Sequence, residues 1–302
     1  MEFSLIAPMP ITDAELVASN IPEDDAPEWR ADTPYDAGAR VLHRGTHRLY
    51  ESLGPANLGN DPTRDDGSHW FDLRATNRWR AFDQGRSSRA ARADEITYSL
   101  VPSRDCDVIS LFGLTAGEVA ITVSDATGVI WQQTFPLAQT DGVVGPYTWF
   151  FGGVTYARQK VLGGFPGFLG HRIDIAIRAP GAVAEVGHIV LGLNRMLGRV
   201  VGTPEIAHVS HSRKDFDDFG DEILVRRGST RKLTVPLLVP TLQGPRVMDV
   251  IAEVDGLVTA FHATTDGPSS YGLEGLGFVD DHTQPLEAGG ESLFTLVIKT
   301  IK

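Results

Sequence analysis

Between Ile96 and Gly198 the chain is a succession of short β-rich runs, each closed by Gly, Pro, Asp or Ser, and no amphipathic helix of ten residues interrupts them. ITYSLVP, DVISLFGL, EVAITVSD, VIWQQTFPL, HRIDIAIRAP and EVGHIVLGLNRMLG follow one another. Ile121 and Val123, then Val129, Trp131 and Phe135, alternate with polar neighbours in part of this stretch, as one-sided strands do. Runs of this length and spacing predict an all-β fold of the sandwich or jelly-roll type.

The flanking segments complete the domain plan. Residues 1–25 open with a short strand around Phe3 to Ile6, stopped by Pro8 and Pro10. Thr12 or Asp13 could cap a short helix with Glu15 in its first turn, and we expect this arm to be peripheral or used in assembly. Residues 26–75 are polar and loop-rich. There Arg40 to His43 and His47 to Tyr50 predict a hairpin across Arg44-Gly45-Thr46, with Gly45 supplying positive φ. A module this small and polar buries few apolar groups, so its aromatics carry unusual weight. Residues 76–203 form the central sandwich. In residues 204–302, mainly β, a single helix is predicted over Pro245 to Val254. Val247, Val250, Ile251 and Val254 fall on one face there, behind a proline in the first turn.

Composition narrows the function classes. At 302 residues, 42% hydrophobic and 22% charged, the chain is an ordinary globular protein with room for several modules. Its net charge of −12 argues against broad binding of a phosphate backbone, and the Arg86, Arg89, Arg92 run reads as a solvated loop. No stretch approaches the roughly 18 apolar residues of a membrane span, and the acidic N-terminal stretch does not resemble a secretory leader. We therefore expect synthesis in a cytoplasm without membrane insertion. Cys106 is the only cysteine, which leaves no intrachain disulfide and no thiolate cluster.

The residues that could carry chemistry point away from catalysis. There is no GxSxG elbow, and the neighbours Asp65-Asp66 and Asp280-Asp281, though of glycosidase residue type, read as loop charges. His208 and His211 precede Asp215, Asp217, Asp218, Asp221 and Glu222, but the spacing fits neither a zinc helix nor a calcium loop. We expect no enzyme activity, no metal and no cofactor. The acidic cluster is expected instead to meet Arg213, Arg226 or Arg227 of a neighbouring protomer, since paired charges fix register between subunits. Arg213, Asp217 and Asp218 are thus interaction-surface candidates. So are Phe165 and Phe168, placed by the run Gly163-Gly164-Phe165-Pro166-Gly167-Phe168 at a hairpin tip.

Two resemblances add to this reading. The order of Trp29, Tyr35, Gly38, Val41, Gly45, Tyr50, Pro62 and Trp70 resembles the small chitin-binding modules of carbohydrate-binding families 5 and 12, which implies glycan binding through Trp29, Tyr35, Tyr50 and Trp70. Aromatic faces suit such contacts because they offer area at little entropic cost. In a module this small the same rings could equally be its core.

From Trp70 onward the chain resembles a family of bacteriophage and prophage tail proteins. The likeness rests on Asn77-Arg78-Trp79 with Phe82-Asp83, on Leu111-Phe112-Gly113-Leu114, on Gly187 to Gly192, and on Ser212-Arg213-Lys214 with the acidic and Arg-rich stretch after it. It implies a galactose-binding-like sandwich and a structural virion protein of the distal tail or its fibres. Implied partners are other tail proteins, further copies of the chain and a host cell-surface polysaccharide. The alternatives are a polysaccharide-degrading enzyme or its accessory, and a pure assembly scaffold.

Overall fold

A computed structural model describes all residues except 84, 86–87, 140–144, 152–153, 217–220, 265–272, 284–288 and 302. In chain order the elements are β1 (Glu2–Pro8), β2 (Leu16–Ser19), β3 (Arg40–His43), β4 (Arg48–Ser52), β5 (Trp70–Ala75), β6 (Ala90–Leu100), β7 (Cys106–Phe112), β8 (Glu118–Asp125) and β9 (Gly128–Pro136). There follow β10 (Ala138–Gln139), α1 (Pro146–Phe151), β11 (Thr155–Tyr156), β12 (Gln159–Gly167), β13 (Arg172–Val186) and β14 (His188–Val200). The chain ends with β15 (Glu205–Ser210), β16 (Arg213–Phe216), β17 (Glu222–Val225), β18 (Ser229–Pro240), α2 (Gly244–Glu253), β19 (Thr259–Thr264), β20 (Gly275–Thr283) and β21 (Glu291–Thr300). The fold is all-β: strands hold 57% of the chain, and the sheet pairings are antiparallel.

Two β structures share one strand. In the nine-stranded sheet β14, β1, β19, β20, β21 and β18 are successive neighbours, and β18 also pairs back onto β14 through Arg199 with Leu238 and Val200 with Leu237. Six strands therefore close on themselves as a barrel, which removes the open edges of that part of the sheet. Phe3, Leu5, Leu237, Phe261, Phe294 and Ile298 pack in a single core there, joined by Val247, Val250, Ile251 and Val254 from α2 and its end. Phe3 and Phe261 stack with centroids 6.2 Å apart. The helix has the predicted apolar face and the predicted proline in its first turn.

The first half of β14, His188 to Gly192, pairs instead with β7, whose other neighbour is β12. This wing packs against a five-stranded sheet in the order β2-β6-β13-β8-β9. Alternate residues supply the sandwich core: Ile173, Ile175 and Ile177 of β13, Ile96, Tyr98 and Leu100 of β6, and Ile109 and Leu111 of β7. Opposite that core, Ile6, Val108, Phe112, Val190, Ala260 and Leu276 form a third apolar cluster on the back of the shared sheet.

The N-terminal segment corrects one expectation. Far from peripheral, β1 lies between β14 and β19, and Phe3, Leu5 and Ile6 are completely buried. Its backbone runs so close to β14 that a Cβ on Gly192 would collide with the Ala7 carbonyl oxygen. The expected short helix after it is a single turn. Glu15 accepts hydrogen bonds from the Thr12 amide and hydroxyl, at 2.9 and 2.5 Å, before β2 begins. The small module is an insertion between β2 and the sandwich strand β6, with its own sheet β3-β4-β5. In its hairpin turn the left-handed residue is His47, with φ of 52°, rather than Gly45.

Candidate functional site

The small module gathers its four named aromatics into one cluster. Val41, Tyr50 and Trp70 are buried together, with Trp29 and Tyr35 packed against them. Tyr35 meets Trp70 edge to face at 5.3 Å and exchanges two 2.9 Å backbone hydrogen bonds with Asn57. The Trp70 indole N–H donates to the Asn60 carbonyl at 2.9 Å. Tyr50 and Trp70 are only 7% and 3% exposed, which corrects the expectation that they offer ring faces. The module buries few side chains, and its folding uses two of the four rings, beside Val41, Leu42 and Leu49. Trp29 and Tyr35, each half-buried, keep accessible aromatic surface.

The loop leading to Trp70 is ordered by Asp65. Its carboxylate accepts from the amides of Gly67, His69 and Trp70 at 3.0 to 3.1 Å or closer, and lies 2.9 Å from His69 Nδ1. Burial alone would raise the Asp65 pKa, but these hydrogen bonds outweigh it and hold the group at about 2. A carboxylate held ionised this firmly is a poor proton donor, so Asp65 acts as a structural anchor. Beside it a cleft of about 420 Å3 opens between Thr46, Tyr50, Pro62, Thr63 and Asp72, a hydroxyl-rich concave surface.

The Asn77 to Asp83 phrase forms the seam between the module and the sandwich. Its chain winds through a tight turn in which Thr76 O receives the amides of Trp79 and Arg80. Trp79, Phe82 and Tyr98 then contact edge to face in series at 6.1 and 5.2 Å, plugging the sandwich mouth. Arg80 pairs with Asp25 at 3.0 Å, with both side chains largely buried. On the module's side His47 stacks flat on Trp79, 4.2 Å away at 21°. Its two ring nitrogens face Glu23 at 2.9 Å and Asp13 at 3.0 Å. No sequence spacing announces this cluster, because its members come from four separate segments.

A third feature projects from the barrel. β15 is the last strand of the large sheet and, among the described residues, pairs only with β18. All six of its residues are exposed, as are those of β17 in the two-stranded extension β16-β17. Ile206, Val209, Ile223, Leu224 and Val225 are apolar residues left open on this ribbon. Arg213 lies on it, 2.6 Å from Asp215, whereas Asp217 and Asp218, like Arg86, fall outside the described residues. His211 faces the Thr230 hydroxyl at 3.1 Å. The exposed apolar positions were the missed signal: they sit among charges in a stretch that sequence reasoning treated as purely electrostatic.

The glycine-rich run is strand β12 rather than a hairpin tip. Phe165 is 3% exposed inside the sandwich core, beside Trp131, which overturns its assignment to an interaction surface. Phe168, in the turn that follows, is exposed. Cys106 is buried, and burial, with Asp107 and Asp105 nearby, pushes its thiol up to about 12. It stays protonated and inert as a nucleophile. No protein-family model and no curated protein matches the chain.

Proposed function

We propose that this chain is a structural protein of a phage-like tail, which assembles with further copies of itself through the ribbon formed by β15, β16 and β17. The observation that carries the reading is the ribbon itself. A sheet edge whose outer side has no strand partner among the described residues invites pairing, and five exposed aliphatic side chains accompany it. A monomer leaves this surface wet; a ring or tube of copies covers it. The tail-protein phrases in the sequence supply the particle, and the small module, carried outside both cores, suits host-surface contact. Trp29 and Tyr35 are its glycan-facing residues in this reading, with weak single contacts multiplied by copy number.

A scaffold without sugar binding is the second reading, favoured by the burial of Tyr50 and Trp70. Light scattering on the purified protein tests assembly: oligomers are expected for the native chain and monomers for Ile206→Asp/Leu224→Asp. A native chain that stays monomeric at high concentration defeats the assembly reading. Binding to isolated cell envelopes, lost in Trp29→Ala/Tyr35→Ala with the fold intact, separates glycan contact from scaffold. Release of new reducing ends from the envelope would point to the degrading enzyme instead.

A further inference from the structure

Between β9 and β12 the chain leaves the body of the sandwich and returns. The foot of this excursion is fixed: Leu137 is buried in the sandwich core, its amide donates to the Gly117 carbonyl at 2.9 Å and its carbonyl accepts from the Ala157 amide at 2.7 Å. The Leu114 amide holds the Arg158 carbonyl at 2.9 Å. Beyond the foot, β10 and β11 pair only with each other among the described residues, and α1 lies between them in the chain. The described side chains out here face solvent. Tyr147 and Phe151 are 76% and 75% exposed and touch mainly each other, with ring centroids 5.1 Å apart. Val154 and Tyr156 are exposed beside them. From Gly142 to Ala157 the sequence carries no charged residue, and then Arg158 and Lys160 follow at the foot. Neither cation meets a carboxylate among the described residues; Lys160 lies over the Phe135 ring at 5.8 Å.

We propose that this aromatic finger is a peripheral membrane contact: Tyr147, Phe151, Val154 and Tyr156 enter the headgroup boundary of a bilayer, and Arg158 and Lys160 meet anionic headgroups. Rings with an apolar body and a polar tip are the side chains that settle at the boundary between water and lipid. A run of sixteen residues without charge carries no ion into hydrocarbon, which is the costly step in any insertion. The chain's net charge of −12 repels an anionic surface, so two uncompensated cations decide which face approaches it. A protein partner fits less well. A stable interface covers about 800 Å2 on each side, and a six-residue helix beside a two-residue strand presents less than that. At 1.5 Å per residue α1 is about 9 Å long, against roughly 30 Å of hydrocarbon. The finger therefore lies in the boundary and does not span, in keeping with the absence among the described residues of any helix long and apolar enough to cross. This surface is separate from the β15–β17 ribbon and does not rest on the tail reading.

Flotation of the intact chain with vesicles of phosphatidylglycerol and phosphatidylethanolamine tests this. The native protein is expected to float with the lipid, and Tyr147→Asp/Phe151→Asp should lower its partition by more than about tenfold. Both rings are exposed, so the denaturant midpoint of that variant should hold. Arg158→Gln/Lys160→Gln should weaken binding by about fivefold for each cation removed, and should leave the weaker binding to pure phosphatidylcholine unchanged. A native chain that does not float overturns the proposal, as does undiminished flotation of the folded Tyr147→Asp/Phe151→Asp variant. Oligomers that fall apart in this variant, without lipid binding by the native chain, would make the finger a protein interface and overturn it too. None of these failures touches the assembly reading of the β15–β17 ribbon, which has its own variants.

Discussion

The barrel and the small module solve the same problem with opposite means. The barrel buries a closed aliphatic and aromatic core lined by six strands and a helix. The module has a small cluster of Val41, Tyr50 and Trp70 on a three-stranded sheet, and it leans on polar knots such as Asp65 with the Gly67, His69 and Trp70 amides. The difference teaches that apolar area specifies the large region, whereas in the small one geometry is set by a few irreplaceable polar groups.

The sharpest way to break the comparison is to empty each core in turn. Phe261→Ala, at a residue 1% exposed, should cost about 3–5 kcal/mol, and denaturant titration should show barrel and sandwich failing in one transition because β14 serves both. Two well-separated transitions would show that the lobes are independent. Trp70→Ala removes a similar side chain, but its loss should stay local: near-ultraviolet dichroism falls while the main denaturant midpoint holds. A matching fall in that midpoint would show the module supporting the body.

A smaller effect sharpens the polar side of the contrast. Asp65→Asn should destabilise the module by about 1–2 kcal/mol through weakened acceptance from three amides. The native carboxylate has its pKa depressed to about 2 from an ordinary 3.8. Its contribution is therefore complete above the ordinary value and disappears as pH falls from about 4 towards 2. Tryptophan fluorescence through that range should show the module opening first. The body has its own acid weakness, since burial holds His188 and His262 below the usual histidine value. A depressed histidine stabilises above its unfolded pKa and loses that contribution as pH falls, so the body should soften below about pH 6. The smallest expected effect is Arg178→Gln, which removes exposed ion pairs with Glu95 and Glu118. It should change stability by less than about 1 kcal/mol, and a larger loss would mean that this surface is structural.

What the sequence disclosed follows the same division. The run HRIDIAIRAP, which becomes part of β13, declares itself as a short β-rich stretch closed by Pro180, and α2 by the spacing of Val247, Val250, Ile251 and Val254 behind Pro245. The all-β class follows from such local patterns. β1 was misjudged because five successive residues, Phe3 to Ala7, are buried on both faces and show no alternation. Its partners, near Arg195 and Phe261, also lie very far along the chain. The four module aromatics were legible as a group, but residue order cannot separate a ring that builds a tiny core from one that lies on it. The His47 cluster was invisible for another reason: Asp13, Glu23 and His47 become neighbours only after the module has docked.

β14 deserves a mechanical reading. One uninterrupted strand, hydrogen-bonded to β7 along its first half and to β1 along its second, acts as a tie rod between the two lobes. Load applied to either lobe along its axis is borne in shear by many backbone hydrogen bonds at once, with no flexible joint to stretch first. The sandwich and the barrel should therefore travel as one rigid lever, and the compliance of the molecule is concentrated where the small module is hung.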